Sequence, residues 1–579
     1  MKKLLFLLWL LPSFAWALTE VPGNGVDDDA SGGDQACASP DADCDGYASD
    51  GSSGLDGKDC DDTNRRIFPG VEVWTSGTSW KTCQADGTYS SIGNSCPDHN
   101  CYYVDPTSGN DANAGTSAAA AFQHLTMLSY YASGAPSGNK HSALACGDHI
   151  YLLPGTYNAG QSHAESGFGR VGLLIKDKSC LATPITIHFI GAAVLDTLGT
   201  SASPNDGSAI WIENSPGTIV KGSTAGEIKN IVSADTGTEK GAIKIRTSQS
   251  AVLRGLSIHN NHGHGNYNAS AIYVSDSDSL SIDHNDVYDQ VCDAGNCANI
   301  CLFIGFNGTT DRLYLNSFRY TSGATTNCGV KQKHGGSGLT WTADHNLSSN
   351  MPGFVSGASI NNFNHNLLSD LTLTNSNTCG GDYPAAFASC DLGAPVYSNG
   401  ANTISYNTVN VGYFSGHKPV NFTGSWSEDH NVVRDNRASY GTTAAIVNMD
   451  NYGSDANYTG FITGGRYTTN NNCWSNAGAG TLQWSFYGWT SGGGSNPAGA
   501  FYTFAQLQSN GYCATCSTTN PTFNTKLEAT AGACSTYGWN VNWLSSLGSG
   551  WSGYSGGGGS GASAPPTMTR VRNKGGRRK

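Results

Sequence analysis

Charge is what this chain has least of. Only 13% of its 579 residues are Asp, Glu, Lys or Arg, against roughly 25% in ordinary globular domains, which excludes a coiled coil and a helical bundle. After its first residues no apolar run reaches the ~18 residues that a membrane helix needs, so no transmembrane segment is expected. Also missing are a Gly-x-Ser-x-Gly elbow, a phosphate loop and a dinucleotide fingerprint, so neither a serine nucleophile on a strand-to-helix turn nor a nucleotide site is signalled. Glycine, by contrast, is abundant at 75 residues. The length alone suggests about three or four domains, unless one core is extended by repetition.

The chain opens with two lysines, an apolar run from Leu4 to Leu11, and Ala15-Trp16-Ala17, the pattern of a cleaved export signal. Residues 1–17 are therefore expected to be removed and the mature protein to be secreted. All 18 cysteines follow that point, and an even number in an exported chain predicts disulfides. Cys379/Cys390, Cys513/Cys516 and the group Cys292, Cys297, Cys301 are close enough in sequence to staple loops. Of the 31 cations, two lie in the signal and six in the last ten residues, and neither segment contains an acid. With 44 acids in all, residues 18–569 carry a formal charge of −21. Such a body excludes non-specific nucleic-acid binding. The basic tail, carried on a Gly/Ser/Pro linker (548–579 together), is suited to an anionic cell surface or to solvated disorder.

Residues 18–75 are dense in aspartate: Asp27-Asp28-Asp29, then Asp41-Ala-Asp43-Cys-Asp45-Gly46, then Asp59-Cys60-Asp61-Asp62. Alternating carboxylates with a glycine at the sharp turn are what a hard, oxygen-seeking cation requires. An EF-hand would need Glu at the twelfth position, where Ser52 stands. The segment resembles the aspartate-rich calcium repeats of the thrombospondin type 3 kind. That resemblance implies Ca²⁺ on Asp27, Asp29, Asp41, Asp43, Asp45, Asp59, Asp61 and Asp62, with Cys44 and Cys60 as a candidate staple. A merely acidic linker is the other reading.

After a cysteine-containing connector (76–100), Tyr102-Tyr103-Val104-Asp105 leads into Gly109-Asn110-Asp111-Ala-Asn113-Ala-Gly115. Phe122, Leu125, Leu128 and Tyr131 then fall at helical spacing over residues 120–132. Next comes a strand ending in Leu153-Pro154-Gly155. In the following 320 or so residues an Asn recurs after an apolar-alternating strand: Asn260, Asn285, Asn316, Asn346, Asn366, Asn407, Asn431 and Asn471, at gaps of 20 to 41. A coil of about 20–25 residues with loop insertions explains that spread, and stacked turns would let the amides bond along the axis. The whole of 101–547 resembles the right-handed parallel β-helix of the pectate-lyase-like superfamily, an all-β solenoid with a helix capping its first coil.

Strand alternation then picks out one outward face. It carries Trp211, Lys244 and Arg246, Tyr273, Phe303, and Lys331 and Lys333 followed by His334. Scarce cations beside exposed rings are suited to an acidic polysaccharide, with ammonium or guanidinium groups on its carboxylates and ring faces on its sugars. Lys331 and Lys333 lie two apart, so their repulsion would lower the pKa of one and make it a base. The resemblance implies β-elimination on a uronate glycan, with these two lysines catalytic and the remaining residues binding substrate. The aspartates Asp276, Asp278, Asp286, Asp289 and Asp293 form no tight trio and read mainly as turn formers. His259, His262 and His264 sit in a Gly-rich loop that suits a metal poorly. A polygalacturonase-like hydrolase would need clustered aspartates on the face, which are missing. The alternative from another class is a non-catalytic surface or matrix protein whose stripe is filled by loops.

Overall fold

The computed structural model describes residues 41–50, 58–76, 79–90, 99–159, 170–197, 207–234, 240–264 and 269–292, then strands and turns of later coils between 300 and 518, and residues 534, 535 and 538. From Cys101 onward these residues form a parallel β-helix. Each coil sends one strand to each of three long sheets, of twelve, eleven and twelve strands, with a further three-stranded strip beside them. The first sheet runs from Cys101–Val104 to Tyr467–Asn470, the second from Gly155–Asn158 to Cys473–Asn476, and the third from Arg170–Lys176 to Ala500–Thr503.

Alternate side chains of each strand turn inward, and in-register pairing stacks these into rows. In the first sheet the row is Ile187, Val220, Leu253, Ile282, Leu313, Ala343, Phe363 and Ile404. All are buried, each larger side chain contributing roughly 1.5–3 kcal/mol by leaving water. At the corner between the first and second sheets one residue per coil takes positive φ: Gly255, His284, Leu315, His345, His365, His430 and Asn471, all between 48° and 65°. Left-handed backbone is costly for a side chain such as Leu, and the next residue explains why it is held.

From His284 onward that next residue is the ladder asparagine; after Gly255 it is Leu256. Asn285, Asn316, Asn346, Asn366, Asn407, Asn431 and Asn472 are fully enclosed, and each Nδ2 donates to the Oδ1 of the next at 2.9–3.1 Å. Each Oδ1 after the first also accepts the backbone N–H of the Asn before it. Two of the expected members differ. Asn471 holds the positive-φ position and Asn472 the ladder. Asn260, also at positive φ, belongs to another corner, where Asn261 Nδ2 donates to Gln290 Oε1 at 3.1 Å.

Both ends are covered. The expected helix over 120–132 is reduced to 3-10 turns at Ala118–Ala120 and Leu125–Met127, which bury Leu125, Met127 and Leu128 against the first coils. Gly115, at φ 73°, is required there, because a Cβ would lie 2.0 Å from the Phe122 ring. At the far end Ala500–Thr503 pairs antiparallel with Gln483–Gly488, and the helix Phe504–Ser509 buries Leu507. No helix among the described residues is long and apolar enough to cross a membrane.

No described cysteine is free. Cys513 bonds Cys516, as the spacing suggested; Cys146 bonds Cys180 and Cys473 bonds Cys534. The expected Cys44–Cys60 staple is not formed: Cys60 bonds Cys83, bridging the aspartate-rich segment to the hairpin Glu72–Ser76/Ser79–Thr82 that follows it.

Candidate functional site

Two groups of side chains have chemistry beyond packing. The first lies on the outer face of the third sheet. Leu174, Trp211, Lys244, Tyr273, Phe303, Lys331 and Val355 occupy one row, each the register partner of the next. Trp211, Lys244, Tyr273, Phe303 and Lys331 are therefore brought together by strand pairing. Lys244 and Lys331 stand three rungs apart, about 14 Å at the usual interstrand spacing.

The row is not open along its length. Trp211, Lys244 and Tyr273 are 4, 7 and 3% exposed, against the expectation of a solvent-facing trough. Trp211 packs on Val171 and Leu174, with Tyr130 of the capping segment beside them. Alternation reports which side of a sheet a residue takes, and says nothing of what covers that side. The Lys244 ammonium lies 4.0 Å from the Trp211 ring centre and 5.4 Å from that of Tyr273, a cation held between two ring faces. Arg246, one alternation along, keeps its side chain 49% exposed, 3.9 Å from Glu213. Glu213, which the sequence analysis missed, also accepts the Trp211 indole N–H at 3.0 Å. Its signal was available, since Glu213 lies two residues from Trp211 and so on the same face. Phe303 and Lys331 are placed here by backbone register; Lys333 and His334 lie outside the described residues.

The other acids behave as turn and pairing residues. Asp276 and Asp289 have positive φ, and Asp286 pairs with Arg319 at 2.9 Å. His259 stacks on Tyr288 with ring centres 4.5 Å apart. None of these joins a metal-competent cluster among the described residues.

The second group is the aspartate-rich segment. Ligand oxygens of Asp41, Asp43 and Asp62 lie within 4.8 Å of one another, as do those of Asp43, Asp45 and Asp59, so Asp43 is common to both sets. The loop is built so that carboxylate oxygens fix its backbone, both of them in Asp41 and one each in Asp43, Asp45, Asp59 and Asp62. Asp41 accepts from the N–H of Asp45 and Gly46, Asp43 from Asp45, Asp45 from Tyr47, Asp59 from Asp61, and Asp62 from Ala42. Cys44 and Gly46 take positive φ to make the turn. The opposite oxygens of Asp43, Asp45 and Asp59 are buried without a protein partner. Burial pushes Asp41 up to about 6 and Asp59 to about 7. Burial and the neighbouring carboxylates together raise Asp43 and Asp45 well above the usual range. Unpartnered buried carboxylate oxygens converging on one point are the donor set a hard divalent cation takes. Asp61 stands apart, its Oδ1 accepting from Thr63 at 2.6 Å. Asp27 and Asp29 lie outside the described residues.

No family model matches the chain, and no curated protein matches it in sequence. Among solved structures, pectate lyase Pel9A aligns with 75% of this chain and 90% of its own, at 14% identity and a TM-score of 0.35. A GH136 lacto-N-biosidase from Eubacterium ramulus aligns with 62% of this chain and 66% of its own, at 10% identity and a TM-score of 0.32. Likeness at this level says nothing of this chain's chemistry, which rests on its own side chains.

Proposed function

We propose that this chain is a secreted, calcium-braced β-helix protein that acts on an acidic polysaccharide, as a lyase cleaving uronate linkages by β-elimination. The observation that carries this reading is the register row Trp211–Lys244–Tyr273–Phe303–Lys331, which gathers cations and rings on one sheet of a body that is otherwise strongly acidic. With the first three side chains enclosed, substrate contact falls to the rungs of Phe303 and Lys331 and to exposed Arg246. In the step itself a neutral amine, Lys331 or Lys333, takes the C5 proton of a uronate. The C4–O bond breaks with its electrons going to the leaving oxygen, which is then protonated, and a C4–C5 double bond forms. The acidic cluster of Asp41, Asp43, Asp45, Asp59 and Asp62 holds Ca²⁺ in a structural role, supplying opposite charge to buried carboxylates. Residues 1–17 act as the export signal, the disulfides fit an oxidising destination, and the basic tail engages an anionic cell surface.

Purified mature protein mixed with uronate polymers and Ca²⁺ should generate unsaturated ends, read by ultraviolet absorbance. Lys331→Ala should lower that rate by about 100-fold or more. Absence of product with every uronate polymer would remove the lyase reading. One observation favours a second reading, a non-catalytic glycan-binding or matrix protein: Lys244 is already enclosed by two rings. Retained binding to the same polymers without turnover would select it.

A further inference from the structure

The carboxylate cluster is not on a free tether. Residues 41–50, 58–76 and 79–80 lie along the outer face of the first sheet, whose row Tyr103, Tyr151, His188, Lys221, Arg254, Asp283 and Tyr314 spans six rungs, about 29 Å at the usual interstrand spacing. Trp80 packs on Tyr103 and Tyr151, and Glu72 accepts from His188 Nδ1 at 2.8 Å. Lys221 Nζ donates to Gly70 O at 3.3 Å, and Phe68 stacks on His284 at 4.0 Å. Arg66 donates to the carbonyls of Ser223, Thr224 and Gly226, and Arg65 to Leu315 O. At the cluster itself, His284 Nε2 donates to the backbone carbonyl of Asp45 at 2.7 Å. The His284 ring is set by Asp283 at 2.7 Å, and Asp283 in turn by Arg254 Nε at 2.6 Å.

We propose that cation binding and docking of this segment on the solenoid are one linked equilibrium, with His284 as the positioning residue that joins them. The inference rests on the calcium reading of the cluster. Asp45 belongs to both halves: its carboxylate faces the other acids while its carbonyl is held by the solenoid. A loop opened by carboxylate repulsion moves both, so loss of the ion withdraws the carbonyl from His284 and the Tyr47 and Phe68 rings from the same site. In the other direction, the solenoid orders the loop before the ion arrives, which raises affinity. Thermodynamic linkage makes the two effects equal in size.

The test uses the full mature chain, with Ca²⁺ affinity and stoichiometry measured by calorimetry and docking measured by hydrogen exchange of residues 41–68. Chelation should raise exchange throughout that stretch, Arg65 and Arg66 included, and leave the Asn285–Asn472 ladder protected. His284→Ala and Arg66→Met touch no carboxylate of the cluster. Each should weaken Ca²⁺ binding by about tenfold without changing stoichiometry. Wild-type calcium affinity retained in variants whose segment has been released would overturn the linkage and leave the calcium site standing. A wild-type chain that binds no Ca²⁺ would overturn both. His284→Ala also removes the Phe68 stack, so Arg66→Met, which loses bonds to the carbonyls of Ser223, Thr224 and Gly226, keeps the outcome decisive if the first variant folds poorly.

Discussion

The ammonium of Lys244 sits between the rings of Trp211 and Tyr273, its register neighbours on either side, 4.0 Å from one centre and 5.4 Å from the other. A charge enclosed in this way braces the sheet first and meets ligand second. Trp211→Ala should lower stability by about 3–5 kcal/mol through the cavity it leaves. Lys244→Met keeps the stem and removes the charge between the rings, so about 2 kcal/mol or less is expected. Denaturant unfolding distinguishes them. Equal losses would mean that the lysine charge, and not the indole volume, holds this part of the row.

The corner ladder offers a sharper case. Asn346 Nδ2 donates to the carbonyls of Leu313 and Asp344 and to Asn366, while its Oδ1 takes the N–H and Nδ2 of Asn316. Asn346→Leu orphans several buried groups at roughly 1–3 kcal/mol each. Loss of cooperative unfolding around that coil is expected, seen as raised exchange at Asn316 and Asn366. Unaltered protection there would show that the ladder is incidental to the fold.

The aspartate cluster should make the effect of chelation depend on pH. Asp41 and Asp59 are raised from 3.8 to about 6 and 7, so without an ion their contribution is full in acid and is lost as pH rises through that range. Bound Ca²⁺ reverses the preference by favouring the ionised acids. Chelation should therefore change the protection of residues 41–50 little at about pH 5 and strongly at about pH 8. The same response at both values would count against a buried carboxylate site.

Glu72 should behave in the opposite sense. Burial alone would raise it, but His188 and Lys221 outweigh burial and hold it at about 2, below the usual 4.5. A lowered acid stabilises above its unfolded pKa and fails as pH falls toward the folded one, so the hairpin should leave the sheet between about pH 4.5 and 2. Glu72→Gln should release it already at neutral pH, with a loss on the order of 3 kcal/mol. Exchange of Glu72–Ser76 against pH would show it.

How much of this was legible depended on whether the cause was local. The ladder could be read because an Asn closes a strand coil after coil, although that signal does not distinguish the corners, which is why Asn260 was assigned to the wrong one. The order of the row from Trp211 to Lys331 follows from alternation alone. Its burial does not, because Tyr130, which packs beside Trp211, comes from chain 81 residues earlier. The five clustered aspartates stood out by spacing, whereas Asp61, part of the same run, accepts from the Thr63 hydroxyl instead. Glu72 on His188 and His284 on Asp45 join positions 116 and 239 residues apart, and no periodicity in the chain marks them.

The corner asparagines have a consequence for how the protein can change length. Consecutive members are joined by the same contacts whether they stand 20 positions apart in sequence or 41. Each Asn therefore works as an index mark. Excising 347–366 would bring Leu367 directly behind Asn346, removing one whole coil and leaving the marks in step. A cut of half that size would bring every later strand to the wrong sheet, so the protein should tolerate gains and losses by the coil and resist fractions of one.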